Sequence, residues 1–237
     1  MPKKPLLVTM WMLAAVALAA TPAQAAPLAQ VCMLVGASFE SDQLRPDHGA
    51  QHGQHPPAAV DPLARGLAYA LYASSGESGI SWFSAASGGA PSTDFQLQAE
   101  ALLGLLREHP PACLVIGLSA EFFDHPERVG EQVAALVSAA RARQITPFVL
   151  AYPPFARLHE PALHHVLQLT PAAAYETMRA RYAQAMAERG ATVVPAWEQF
   201  VPGPDGLHPN YASAQAAAAT VNRAVLAGLR ERGSDGH

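Results

Sequence analysis

The sequence has almost no lysine. Its only two, Lys3 and Lys4, stand at the extreme N-terminus, and every later fixed cation is arginine. No basic stripe and no aromatic-basic cluster occurs, which argues against nucleic acid as a partner. Cysteine is scarce as well: Cys32 and Cys113 lie too far apart for a CxxC redox or zinc pattern. Charged residues make up only 14% of the chain, but hydrophobic residues make up 50%, so the low charge marks a packed core rather than disorder. Beyond the first 25 residues, no apolar run approaches the ~20 residues that a spanning helix needs.

The N-terminus is different. Lys3 and Lys4 precede an apolar run, Leu6 to Ala20, diluted only by Thr9, and Ala23-Gln24-Ala25 follows with small residues at the cleavage positions. This is the pattern of a secretory signal peptide, residues 1–25, cleaved after Ala25. Residues 26–237 then form a single domain, exported to the periplasm or secreted, with no integral membrane segment left after cleavage. Loss of Lys3 and Lys4 from the 15 cations leaves 13 arginines against 19 acidic residues, a net charge of −6. In an oxidising compartment the two cysteines are either bridged or two buried free thiols, and the sequence alone leaves both open.

Five apolar runs bounded by turn residues read as strands: Cys32–Val35, Ile80–Phe83, Cys113–Leu118, Thr146–Ala151 and Thr192–Val194. Most lack alternation, as strands of a parallel sheet covered on both faces do. Between them lie segments with helical signals. Asp61-Pro62 offers an N-cap and a first-turn proline for a helix to about Ala73. Thr93 and Gln96 resemble a capping box for a helix from Asp94 to about Glu108, with Phe95, Ala99, Leu102, Leu103 and Leu106 on one face. A helix from Pro126 to about Gln144 presents Val129, Val133, Leu136, Val137 and Ala140. Thr170-Pro171 starts another that closes at Gly190, and an alanine-rich helix runs from Tyr211 to about Arg232. Alternation of strand and helix predicts a three-layer α/β/α sandwich with a five-stranded parallel sheet.

Two polar stretches attract notice. His48, His52 and His55 are numerous enough to bind a metal, but their spacing suits no ligand pattern, and a solvated loop is the plainer reading. Residues 152–170, with His159, His164 and His165, form a long connection at a strand's carboxyl end, either a lid or a surface insertion.

Small residues end the first two strands: Gly36-Ala37-Ser38, and Ser87-Gly88-Gly89. Open α/β sheets bind ligands at that edge. Near the C-terminus, Asp205 stands three residues before His208. A carboxylate at that spacing can hold Nδ1 and leave Nε2 to take a proton from a serine hydroxyl, which is a weak nucleophile without a base. The N–H groups of Ser38 and Gly89 could hold the oxyanion that forms. Taken singly, the Asp205–His208 stretch is also an ordinary turn into a helix, with Asn210 as N-cap.

These blocks resemble those of the SGNH hydrolases, the GDSL-type esterases and lipases. Gly36-Ala37-Ser38 matches the nucleophile block, with Ala37 where the family usually has aspartate. Gly89 matches the oxyanion glycine of the second block, and Asp205-Gly206-Leu207-His208-Pro209 the last block. The resemblance spans Val31 to about Arg232. It implies an SGNH/flavodoxin-like fold in which strand one lies between strands two and three, so that Cys32 and Cys113 sit on neighbours. It implies a serine ester hydrolase with Ser38 as nucleophile, His208 as base and then acid, Asp205 as orienting carboxylate, and neither metal nor cofactor. The substrate would be a small-molecule or carbohydrate ester. The third block departs from the family's Gly-x-Asn-Asp: Ser119, Glu121 and Phe122 replace glycine, asparagine and aspartate. Either Glu121 is protonated, or Ser119 donates to the oxyanion instead, or Glu121 points elsewhere, or the site no longer hydrolyses. A non-catalytic cell-envelope binding module and an acyltransferase are therefore the alternatives.

Overall fold

A computed structural model describes residues 30–41, 66–158, 171–203 and 208–234. The expected signal peptide, His48, His52, His55, Asp61-Pro62, Thr170 and Asp205 lie outside the described residues, as does the 152–170 connection from residue 159 onward.

The five strands are β1 (Gln30–Val35), β2 (Ile80–Ser84), β3 (Cys113–Ile116), β4 (Thr146–Leu150) and β5 (Thr192–Val194). They form one parallel sheet in the order β2-β1-β3-β4-β5. Every residue of β3 and β4 is buried, so the unbroken apolar runs reflect cover on both faces. The helices are α1 (Leu67–Ala73), α2 (Ser75–Ser78), α3 (Asp94–Leu105), α4 (Pro126–Ala142), α5 (Ala172–Glu188) and α6 (Tyr211–Ser234). α1 packs on α6, while α3, α4 and α5 form a second row. No helix among the described residues is long and apolar enough to cross a membrane.

Cys32 and Cys113 face each other in the β1–β3 register, with Cα atoms 4.7 Å apart, and are joined in a disulfide at the centre of the sheet. Both are fully buried.

α3, α4 and α6 start at the expected residues, Asp94, Pro126 and Tyr211, whereas the capping differs from the sequence expectations. α1 begins at Leu67, with extended Gly66 as its N-cap. Its first N–H groups donate to the carbonyls of Phe39 and Glu40, partners distant in sequence. The Thr93–Gln96 capping box does not form. Thr93 is itself helical, the Asp94 and Phe95 N–H groups donate to Pro91 and Ser92 carbonyls, and Gln96 pairs with Glu100. At α5, Pro171 is the N-cap rather than the first helical residue. The apolar face expected for α4 is buried at all five positions, and Gly190 follows α5 with φ 81°, as a C-terminal glycine should. α4 stops at Ala142, two residues short of the expected end, where Gln144 turns left-handed with φ 63°.

Candidate active site

The carboxyl end of β1 lies mid-sheet, and the chain turns there through Gly36, Ala37 and Ser38. The N–H groups of Glu40 and Ser41 both return to the Ala37 carbonyl, closing a tight turn with half-buried Ser38 on it. Buried Gln98, on α3, clamps the turn's base: its Oε1 accepts from the Gly36 N–H at 2.8 Å and its Nε2 donates to the Gly36 carbonyl at 3.0 Å. The Ser87 N–H donates to the same carbonyl. Thus the connection after β2 is tied directly to the connection after β1. Gly89 follows in a turn closed by the Ala90 N–H on the Ser87 carbonyl, and its φ of 73° suits glycine. Among the described residues, the N–H groups of Ser38 and Gly89 donate to no protein acceptor.

Beneath the turn lies Glu40. Its carboxyl is fully buried, and Oε2 accepts from the Ala37 N–H at 3.2 Å. Burial pushes this acid up to about 8, with the nearby backbone N–H groups of Leu118 and Ala37 opposing part of the rise.

β3 leads into Ser119, whose backbone is held at both ends by one phenol. The Tyr152 hydroxyl accepts from the Ser119 N–H and donates to its carbonyl, each at 3.0 Å. Burial raises the Tyr152 phenol well above its ordinary range, so it stays a neutral donor. The Ser119 Oγ accepts from the Glu121 N–H and starts a short 3-10 turn, Ala120–Phe123. There Phe122 is fully buried, stacked on Tyr152 at 3.9 Å and edge-on to Tyr175 and Tyr182.

Both oxygens of Glu121 are committed. Oε2 accepts from the Ser92 N–H at 2.9 Å and the Ser92 hydroxyl at 2.6 Å, and Oε1 meets Arg128 at 2.7 Å. The Ser92 hydroxyl, with the Gln132 amide on its other side, is the largest influence holding this carboxyl below its ordinary value; the Ser92 N–H and Arg128 add to it. Glu121 is therefore ionised at neutral pH, and the protonated form considered from the sequence is excluded.

From the far end of the chain, an isolated antiparallel bridge between Pro202 and Pro209 and a hydrogen bond from the Gly203 N–H to the His208 carbonyl fix the backbone around His208. Asn210 caps α6 through the Ser213 N–H at 2.8 Å. The His208 ring lies 6.2 Å from the ring of Phe39, the residue next to Ser38. Phe39 in turn packs edge-on to Trp197 and stacks on Phe200, so an aromatic nest joins the Ser38 turn to the connection before α6. Among the described residues, no group of three or more His, Cys, Asp or Glu side chains could hold a metal.

No family model matches the chain, and no curated protein matches it. Solved structures do. "Crystal Structure of TesA" superposes with a TM-score of 0.57 at 20% identity, over 83% of this chain and 98% of that one. A GDSL-like lipase from Bacteroides thetaiotaomicron gives 0.56 at 13% identity, over 84% and 89%. The psychrotrophic esterase EstA from Pseudoalteromonas sp., inhibited by monoethylphosphonate, gives 0.53 at 15%, over 85% and 99%. The chain has the fold of the SGNH hydrolases.

Within the SGNH fold, the strand order expected from the resemblance is the one observed, and it is what sets Cys32 beside Cys113. Ser38, Gly89 and Ser119 all follow strands at the carboxyl edge, and His208 reaches the neighbour of Ser38. Sequence reasoning missed Glu40, Gln98, Tyr152 and Ser92. One signal for Glu40 was present: Gly36 and Gly117 end neighbouring strands at matching positions, leaving room for a side chain between them.

Proposed function

We propose that the protein is an exported serine ester hydrolase that cleaves a carboxylic ester through an acyl-serine intermediate. The observation that carries this reading is the return of His208, from the last connection of the SGNH fold, to the aromatic nest beside Ser38. Ser38 Oγ gives its proton to His208 and attacks the ester carbonyl. The carbonyl oxygen becomes an oxyanion and receives hydrogen bonds from the N–H groups of Ser38 and Gly89. The bond to the alcohol oxygen then breaks, and His208 returns the proton to the departing alcohol. Water, deprotonated by His208, attacks the acyl-serine, releases the acid and restores Ser38. Asp205, three residues earlier in the sequence, has the role of orienting His208.

The third block supplies less than in the family pattern. Ionised Glu121 only accepts hydrogen bonds, and its oxygens are taken by Ser92 and Arg128, so the Ser119 hydroxyl is the remaining third donor. Even without any donation from Ser119, loss of one oxyanion donor costs about 2.7–4 kcal/mol, which makes a slow enzyme rather than an inert one. The substrate is a small-molecule or carbohydrate ester, with no nucleic acid involved. The N-terminal leader and the buried disulfide support export.

The test is turnover of a small activated acetate ester by mature protein, with Ser38→Ala and His208→Ala as blanks and a sugar alcohol added in parallel. Turnover that needs both residues supports the hydrolase. Absence of Ser38-dependent turnover favours the binding module, for which Glu121 speaks, and an acetylated sugar product favours the acyltransferase.

A further inference from the structure

Glu40 is buried where an ionisable side chain is costly. Its carboxyl lies between the ends of β1 and β3, in a slot that exists because two residues lack side chains. A Cβ at Gly36 would stand 2.6 Å from Glu40 Oε2, and a Cβ at Gly117 would stand 2.3 Å from its Cδ. No cation pairs with it among the described residues, and its Oε1 is buried there without a hydrogen-bond partner. Oε2 holds the Ala37 N–H, one residue before Ser38. The backbone carbonyl of Glu40 accepts from the Ala68 N–H of α1, so the residue is anchored at both its main chain and its tip. At Ala37 the chain lacks the aspartate expected from the resemblance, and Glu40 brings a carboxyl back to that backbone from three residues on.

We propose that Glu40 is a positioning residue for the nucleophile turn: its carboxyl fills the slot left by Gly36 and Gly117, takes the Ala37 N–H and fixes the backbone that carries Ser38. This rests on the reading of Ser38 as nucleophile. Glu40 does this work as a neutral acid. Among the described residues, the titratable groups that act on it are the phenols of Tyr152 and Tyr182, both kept neutral by burial, and a phenol carries no positive charge that could hold a carboxylate. Ionisation of Glu40, whose burial sets its titration at about 8, places a negative charge under the turn where the oxyanion develops. The rate of ester cleavage should therefore fall on the alkaline side as Glu40 ionises.

The test compares wild type with Glu40→Gln, Glu40→Asp and Glu40→Ala. It measures kcat and KM for an activated acetate ester from pH 6 to 10, with Ser38→Ala as blank, and hydrogen exchange at the Ala37 and Ser38 amides. Glu40→Gln keeps the shape and the acceptor without the charge, so it should retain neutral activity and lose the alkaline fall centred near 8. Glu40→Asp, too short to reach, and Glu40→Ala should lose about tenfold to a hundredfold in kcat with KM little changed, because the nucleophile is misplaced rather than the substrate. Their Ala37 and Ser38 amides should exchange faster than in wild type, and Glu40→Gln should restore the protection. An alkaline fall in Glu40→Gln identical to that of wild type overturns the proposal, as does unchanged amide exchange in Glu40→Asp. If wild type shows no Ser38-dependent turnover, the hydrolase reading fails, and amide exchange alone decides the role of Glu40.

Discussion

Breaking the Cys32–Cys113 bridge should be among the most destabilising changes available in this protein. The two residues are 81 apart in sequence, and cross-linking a loop of that length removes about 15 cal/mol/K from the unfolded chain, or about 4.5 kcal/mol at 25 °C. For a domain of this size, each kcal/mol moves the melting point by roughly 2–4 °C, so Cys32→Ala/Cys113→Ala should melt roughly 9–18 °C below the oxidised protein. The comparison needs a control, since alanine also removes two buried sulfur atoms from the sheet centre. Cys32→Ala alone breaks the bridge but keeps the Cys113 sulfur. If the loop dominates, the single and double variants should lose nearly the same stability. Denaturant unfolding followed by circular dichroism reads both. Dithiothreitol should reduce the bridge in the native protein slowly, because both sulfurs are inaccessible until the sheet opens. A double variant within about 1 kcal/mol of oxidised wild type would refute the entropic reasoning.

Other outcomes follow from the same geometry. Gly117→Ala drives a methyl into Glu40 and should cost about 1–3 kcal/mol of stability by overpacking, whereas Gly104→Ala, on α3 with nothing within 4 Å of its Cβ, should stabilise by about 0.5–1 kcal/mol; thermal melts of the two separate them. Glu121 has a lowered pKa in the folded state, so the stability it lends is present above the ordinary carboxylate value of 4.5 and is lost as pH falls through its folded value. The advantage of wild type over Glu121→Gln in urea unfolding should accordingly be largest near neutral pH and vanish in acid. Arg128→Ala should change stability by less than about 1 kcal/mol in the same assay, because Arg128 is half exposed and its pair with Glu121 is screened by water.

The strands were legible because burial on both faces writes itself into sequence as an unbroken apolar run, as at Cys113–Ile116. The α4 face was legible because its five apolar residues repeat at helical spacing. Helix caps were less so. The capping signals at 93–96 and 170–171 are local, while the N–H groups at the start of α1 are satisfied by Phe39 and Glu40, which no local pattern reveals. Of the candidate site, the strand-ending small residues and His208 could be read directly, while Asp205 lies outside the described residues. Glu40 was not: a glutamate in a polar stretch looks solvent-facing unless Gly36 and Gly117 are read as ending neighbouring strands. The orientation of Glu121 was hidden for a similar reason, since its partner Ser92 lies 29 residues earlier, on the connection after β2.

The most direct test of the account is covalent labelling of the mature protein with a fluorophosphonate, read by intact mass and peptide mapping. The account predicts a single adduct on Ser38 in wild type, abolished in His208→Ala. An adduct on another residue, or none at all on folded wild-type protein, would contradict it.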